Sequence, residues 1–367
     1  MSYSKQIKNN YAKIIRNYKE EDYFVQSTIL LKYMLNHQEA VAGNKSYVIT
    51  GVELQDTNDV RNKEKIGKIV EKCNNDILNT SKEYSWQIFY ALKVLLQDLT
   101  SGRLGFNYFR GQSHDHPLLP GALRYKVDSA YIKDFESIYK KLVYAFPDTI
   151  NYVSMSKIRN LAEREANLSV LQHYGLKTAL LDITKNPFIA MLFMLSDSIL
   201  DYKEPTLYLF KITDNVSDNL SLFSEVRKSH TNERIIAQKG AFLNFEKILD
   251  NKVKIKIPFV KIILRYDAEK YLKSLIHRNI EFQETDSKTA DLENMLYEQL
   301  KLSITGDFSK IYCLRYINKE LETKLKEYYY TKEDMFPDFE NRIRYLSNKY
   351  NDDDPKTKKL NIDDEAE

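Results

Sequence analysis

The sequence predicts an α+β protein: a modest mixed or antiparallel sheet with flanking helices, preceded by a mainly helical N-terminal extension. Three observations carry this expectation. Residues 1–100 hold long stretches of helical apolar spacing, and from Phe106 onward short apolar runs bounded by Gly, Pro and Asn alternate with helical ones. Hydrophobic residues at 43% and charged residues at 29% of 367 give a chain that can bury a real core and keep a polar surface.

In the extension, YFVQSTILLKYMLNH (Tyr23 to His37) places Phe24, Ile29, Leu30, Tyr33 and Met34 at helical spacing and is predicted as a helix. SYVITGVEL, from Ser46 to Leu54, reads as a short strand. Ile66 to Leu78 and Trp86 to Leu99 are amphipathic helices, the second closed by Ser101-Gly102, because glycine is favoured just past a helix end. FNYFRGQS, from Phe106, is strand-like, turns at Gly111 and runs into HDHPLLPGALR. Helices are expected over Ala130 to Tyr144 and Ser156 to Tyr174.

TALLDI (Thr178 to Ile183) is the next strand, and Asn186-Pro187 opens a helix toward Leu200, proline being favoured at the first turn. That helix is apolar on nearly every side and should be buried. TLYLFKI at Thr206 is a strand, and RIIAQKGAFLNF, Arg234 to Phe245, reads as two strands around Gln-Lys-Gly. KVKIKI and VKIILRY add further strands around Pro258, and helices dominate from Ala268. The resulting organisation is 1–100 as the helical extension, 101–350 as the main domain and 351–367 as a charged, disordered tail.

A net charge of +3, with Lys and Arg interleaved among acids, does not imply nucleic-acid binding. Cys73 and Cys313 are the only cysteines and form no CxxC or Cys/His cluster, which argues against a zinc site and a disulfide framework and for a cytoplasmic setting. The N-terminus lacks the apolar core of a signal peptide, and the longest apolar run, Phe188 to Leu195, is too short to span a bilayer, so no membrane is expected. The histidines show no metal-ligand spacing, and no metal is expected.

Four places could carry chemistry. Arg110 at a strand end, followed by Gly111 and Gln112, offers a fork of donors suited to carboxylate or phosphate; an internal ion pair is the alternative. The glycine permits close backbone approach. His173, at a helix end before Gly175, suits a base or stacking group, or equally a cap. Asp182 and Thr184 lie at a strand end before a helix start, where open sheets place ligand contacts and free amides attract anions. Asp182 could equally satisfy those amides or pair with Arg110. Glu233, Arg234 and Gln238 sit beside a turn between strands.

Five blocks, YFRGQS at Tyr108, LLPGALR at Leu118, LQHYGLKTALLDITKNPFIAMLF at Leu171, NERIIAQKGAF at Asn232 and MFPDFEN at Met335, together resemble the FRG domain family. The family's central block reads like QHxGLPTRLLDWT; Lys177, Ala179 and Ile183 here replace Pro, Arg and Trp, so any ligand contact from that arginine is lost. The order of motifs is in turn similar to that of ADP-ribosyltransferases, which implies a fold of that kind and NAD as a substrate rather than a resident cofactor. On this resemblance Arg110, Gly111, Gln112, His173 and Thr184 bind the nucleotide, Arg110 on its diphosphate, and Asp182, Glu233 and Gln238 serve catalysis. The chain departs from the pattern by carrying Arg234 where the glutamate belongs, with Glu233 on the opposite strand face. Two readings stay open. One is an ADP-ribosyltransferase-like effector in a defence or toxin role. The other is a non-catalytic sensor or interaction module, in which Arg110 and Asp182 are structural and the N-terminal helices dock a protein partner.

Overall fold

The computed structural model describes residues 10–36, 46–80, 87–124, 127–154, 161–195, 204–213, 220–225, 240–250, 253–281 and 308–331, with residues 333, 343 and 347. Its strands are β1 (Phe24–Leu35), β2 (Tyr47–Thr57), β3 (Tyr108–Gln112), β4 (Leu180–Thr184), β5 (Thr206–Phe210), β6 (Phe223–Ser224), β7 (Gly240–Asn244) and β8 (Ile257–Tyr266). They form one eight-stranded sheet in the order β2-β1-β8-β5-β3-β4-β7-β6. Only the β1–β8 pair is parallel; the other neighbours run antiparallel. The helices are α1 (Asn10–Asn17), α2 (Glu20–Tyr23), α3 (Lys63–Thr80), α4 (Ile88–Thr100), α5 (Ser129–Ala145), α6 (Leu161–His173), α7 (Pro187–Met194), α8 (Ala268–Glu281) and α9 (Phe308–Glu327). The fold is therefore α+β with a mixed sheet, as the sequence predicts.

Two expectations are overturned. The predicted helix at Tyr23 to His37 is strand β1, paired with β2 on one side and with β8 on the other, from Phe24↔Ile257 to Tyr33↔Tyr266. Ile29, Leu30 and Leu31 are all buried because helices cover both faces of an interior strand, and a continuous apolar run carries no period to tell strand from helix. KVKIKI is not a separate strand. Residues 253–256 lie outside regular structure, with the Lys254 and Ile255 amides donating to Leu220 O, and one strand, β8, then runs through Pro258. Proline, second in that strand, still contributes its carbonyl, which accepts from Lys211. The first strand of the pair around Gln-Lys-Gly, the MFPDFEN block and the tail at 351–367 lie outside the described residues.

Period-2 alternation sorts the middle strands between two cores. Phe109, Leu207, Leu209, Val260 and Ile262 face α3, α4, α7 and α9. Tyr108, Tyr208, Phe210 and Phe259 face the opposite way, toward α1, α5, α6 and the 3-10 turn Phe245–Asp250. Strands β1 and β2 of the N-terminal hundred residues share the sheet with β3 to β8, and the apolar faces of α3 and α4 share a core with α7. At the start of α4, Glu320 of α9 accepts from the Phe89 amide at 3.1 Å and from the Tyr47 hydroxyl at 2.5 Å, so an acid from a distant helix supplies the N-terminal acceptor that Gln87 does not. Among the described residues no helix is long and apolar enough to cross a membrane.

The second core contains an ionic cluster. Arg164 of α6 is 1% exposed and donates to Glu246 from Nε at 2.7 Å and Nη2 at 2.8 Å, to Val153 O at 2.6 Å, and to Glu136. Tyr11 donates to Glu246, and Tyr152 to Glu136 at 2.8 Å, so the cluster joins α1, α5, α6 and the 3-10 turn. Burial alone would lower the Arg164 pKa; the charge of Glu246 and its hydrogen bonds outweigh that and raise it. Removing the guanidinium would strand two buried carboxylates. Arg164→Met should cost about 3–5 kcal/mol, read from the urea midpoint, whereas Lys68→Ala, which breaks an exposed pair with Glu64, should leave the midpoint in place.

Candidate functional site

The site is built on β3, between β5 and β4, where α7 crosses one face. Strand β3 continues through Gly111 to Gln112 instead of turning at the glycine. A Cβ on Gly111 would lie 1.8 Å from Ala190 O and 2.6 Å from Met194 N, so the backbone of α7 rests directly on the backbone of the strand. Close approach, not a positive φ, is what requires glycine here.

Helix α7 is started by its own neighbours. Thr184 Oγ1 accepts from the Asn186 amide at 3.0 Å, Asn186 Oδ1 accepts from Phe188 N at 2.9 Å, and Pro187 occupies the first turn. One of the amides that could have bound Asp182, that of Phe188, is thus capped by Asn186. Thr184 is buried and is paired with Phe109. Phe109 faces α7, and Arg110 points to the other side of the sheet.

There the register aligns Arg110 of β3 with Tyr208 of β5 and Lys261 of β8. Arg110 Nη1 donates to the main-chain oxygen of Asp182 at 2.7 Å, and Nε makes a long contact of 3.4 Å to Gln112 Oε1. Gln112 is itself held through Nε2 on His116 O at 3.2 Å. The loop after β3 is tied to the same floor: Asp115 accepts from Lys261 at 2.8 and 3.0 Å and from Tyr208 at 3.1 Å, and Glu20 accepts from Leu118 N at 3.3 Å. Burial raises the Glu20 pKa, and burial lowers that of Arg110; the charge of Asp182 works against the latter shift and the nearby Arg124 adds to it.

The Arg110–Asp182 ion pair, one of the alternatives the sequence leaves open, does not form among the described residues. Asp182 is exposed, and both carboxylate oxygens accept from Gln172 Nε2 at 2.8 Å, while only its carbonyl faces the guanidinium. Gln172 is held in turn by the Thr178 hydroxyl on its Oε1, and Thr178 Oγ1 accepts from Leu180 N at 3.2 Å. His173, the residue after Gln172, ends α6 with its ring edge-on to Tyr174 at 5.1 Å. Gly175, at φ +92°, makes the left-handed helix end there.

Arg110, Gln112 and Asp182 are brought together, and Gly111 supports them from beneath; Thr184 accepts from the Asn186 amide at the start of α7. Glu233 and Gln238 fall outside the described residues. Sequence reasoning missed Gln172, Thr178, Tyr208, Lys261, Asp115 and Arg124. Tyr208 and Lys261 carried a signal, since each is a polar group inside an otherwise apolar strand, and Gln172 stood beside the histidine chosen in its place. Among the described residues no group of three or more His, Cys, Asp or Glu side chains is arranged to hold a metal ion.

Residues 106–202 match the family model of the FRG domain, so the chain carries an FRG domain over that segment, which contains β3, α5, α6, β4 and α7 and with them Arg110, Gln172 and Asp182. The blocks at Asn232 and Met335 lie beyond the matched segment. No curated protein and no solved structure matches the chain.

Glycines in different surroundings give opposite expectations. Gly111→Ala should push α7 off the sheet and cost about 3 kcal/mol or more, measured by denaturant unfolding. Gly67→Ala, in helix α3 with nothing within 4 Å of the new Cβ, should stabilise by about 0.5–1 kcal/mol in the same assay.

Proposed function

We propose that the FRG domain of this chain is a nucleotide-binding domain whose anchor is Arg110. One observation carries the reading: the half-buried Arg110 guanidinium bonds, among the described residues, to a carbonyl and an amide oxygen, both neutral, and burial lowers its pKa although the charge of Asp182, whose carboxylate is bonded to Gln172, works against that shift. A guanidinium stays charged at any ordinary pH, and a partly desolvated charge with no counter-charge bonded to it is costly. A phosphate group supplies that counter-charge in a geometry the guanidinium fork suits. The fixed floor of Gln112, Tyr208, Asp115 and Lys261 supports a preformed site, as ligand sites usually are.

NAD is the nucleotide that the order of motifs favours. The catalytic version, an ADP-ribosyltransferase-like reaction in a cytoplasmic defence or toxin effector, takes Asp182 as its catalytic carboxylate, with Glu233 and Gln238 as the companions the sequence suggests. A second reading, a non-catalytic interaction module, draws on the same contact in another way, because the Arg110 bond to Asp182 O ties β3 to β4. The apolar faces of α3 and α4 are buried against the sheet, which leaves their polar faces for a protein partner.

A thermal-unfolding series on wild type and Arg110→Ala with NAD, ADP-ribose and ATP separates the two. A ligand at about a hundred times its Kd stabilises the folded state by about 2.7 kcal/mol. At least one nucleotide should raise the wild-type Tm and leave that of Arg110→Ala unchanged, with the ligand-free Tm values close together. No shift with any of the three, or a large drop in the ligand-free mutant, would favour the structural role.

A further inference from the structure

The charges of Arg110 and Asp182 are neighbours that do not pair. The guanidinium touches the carbonyl of Asp182, one residue's length from its carboxylate, yet that carboxylate is bonded to Gln172 instead. A neutral amide holds the carboxylate in place without neutralising it, and one NH2 group leaves part of its acceptor capacity open on the exposed side.

The orientation of Gln172 is dictated, not accidental. Thr178 is 1% exposed, and its oxygen already accepts from Leu180 N, so its hydroxyl hydrogen is left to donate to Gln172 Oε1. That turns the Gln172 NH2 toward Asp182. The flipped amide would set an oxygen against the carboxylate, two acceptors facing each other. The relay Leu180–Thr178–Gln172 thus fixes an acceptor-only group beside a donor-only one. A phosphate is drawn to the guanidinium and repelled by the carboxylate; hydroxyl groups are the neutral donors that a carboxylate accepts well.

We infer that Asp182, oriented by Gln172 and Thr178, recognises the vicinal ribose hydroxyls of a nucleotide whose phosphate is held at Arg110. This rests on the nucleotide-binding reading and sharpens it: the ligand class is ribose phosphates with a free 2′,3′-diol, and Gln172 is a positioning residue for Asp182.

Calorimetric titration of the full chain tests it with ATP against 2′,3′-dideoxy-ATP, ADP against 2′,3′-dideoxy-ADP, and inorganic triphosphate. Wild type should prefer the free-diol member of each pair by roughly tenfold or more, the worth of a hydrogen bond to a charged group. Asp182→Asn and Gln172→Met should bring that ratio near one while triphosphate binding is kept, and Arg110→Ala should abolish binding of all five. Equal affinity within the pairs in wild type, or a ratio preserved in folded Asp182→Asn, overturns diol recognition and leaves the Arg110 site standing. Absence of binding by every probe removes the nucleotide-binding reading and this inference with it.

Discussion

Everything at the centre of this molecule depends on one close approach, the backbone of α7 resting on β3 at Gly111. With no side chain to hold them apart, helix and strand meet carbonyl to Cα, and the other side chains of β3 are committed in consequence. Phe109 joins the core beneath α7, while Tyr108 and Arg110 emerge on the far face. Since α7 begins at Pro187, three residues past the end of β4, the same contact fixes where β4 lies and therefore where Asp182 presents its carbonyl to Arg110. A packing constraint on one face of the sheet thereby sets polar geometry on the other.

Two arginines on that far face show opposite ways of handling a charge inside a protein. Arg164 is enclosed by Glu136, Glu246 and Val153 O, with tyrosine hydroxyls completing the carboxylates, and its role is to join four elements. Arg110 is held by neutral oxygens, and the carboxylate of Asp182 is bonded by an amide instead. Folding stability alone would favour pairing the two charges, as it does around Arg164. Their separation is the feature that a ligand bearing both an anion and hydroxyls would complete.

Much of the architecture was legible because it rests on local rules. Asn186-Pro187 announced the start of α7, Gly175 the end of α6, and the amphipathic spacing of α3, α4 and α5 their existence. Strand β1 was not legible, because an interior strand covered on both faces is apolar without alternation, and Ile29, Leu30 and Leu31 fit either geometry. The site divided along the same line. Arg110, Gln112 and Asp182 announced themselves as polar groups at strand ends, whereas Tyr208 and Lys261 reach the site only through strand register across β5 and β8.

The sequence by itself determined the class of fold, the segment from Phe106 that resembles the FRG domain, and the two residues, Arg110 and Asp182, around which the polar site forms. Helix starts, helix ends and glycine positions are set by interactions within a few residues, so they can be read along the chain. Tertiary structure alone decided that Arg110 meets the carbonyl and not the carboxylate of Asp182, and that Gln172 and not His173 reaches the site. Those outcomes depend on which strands become neighbours and in what register, and a one-residue shift would send each side chain to the opposite face.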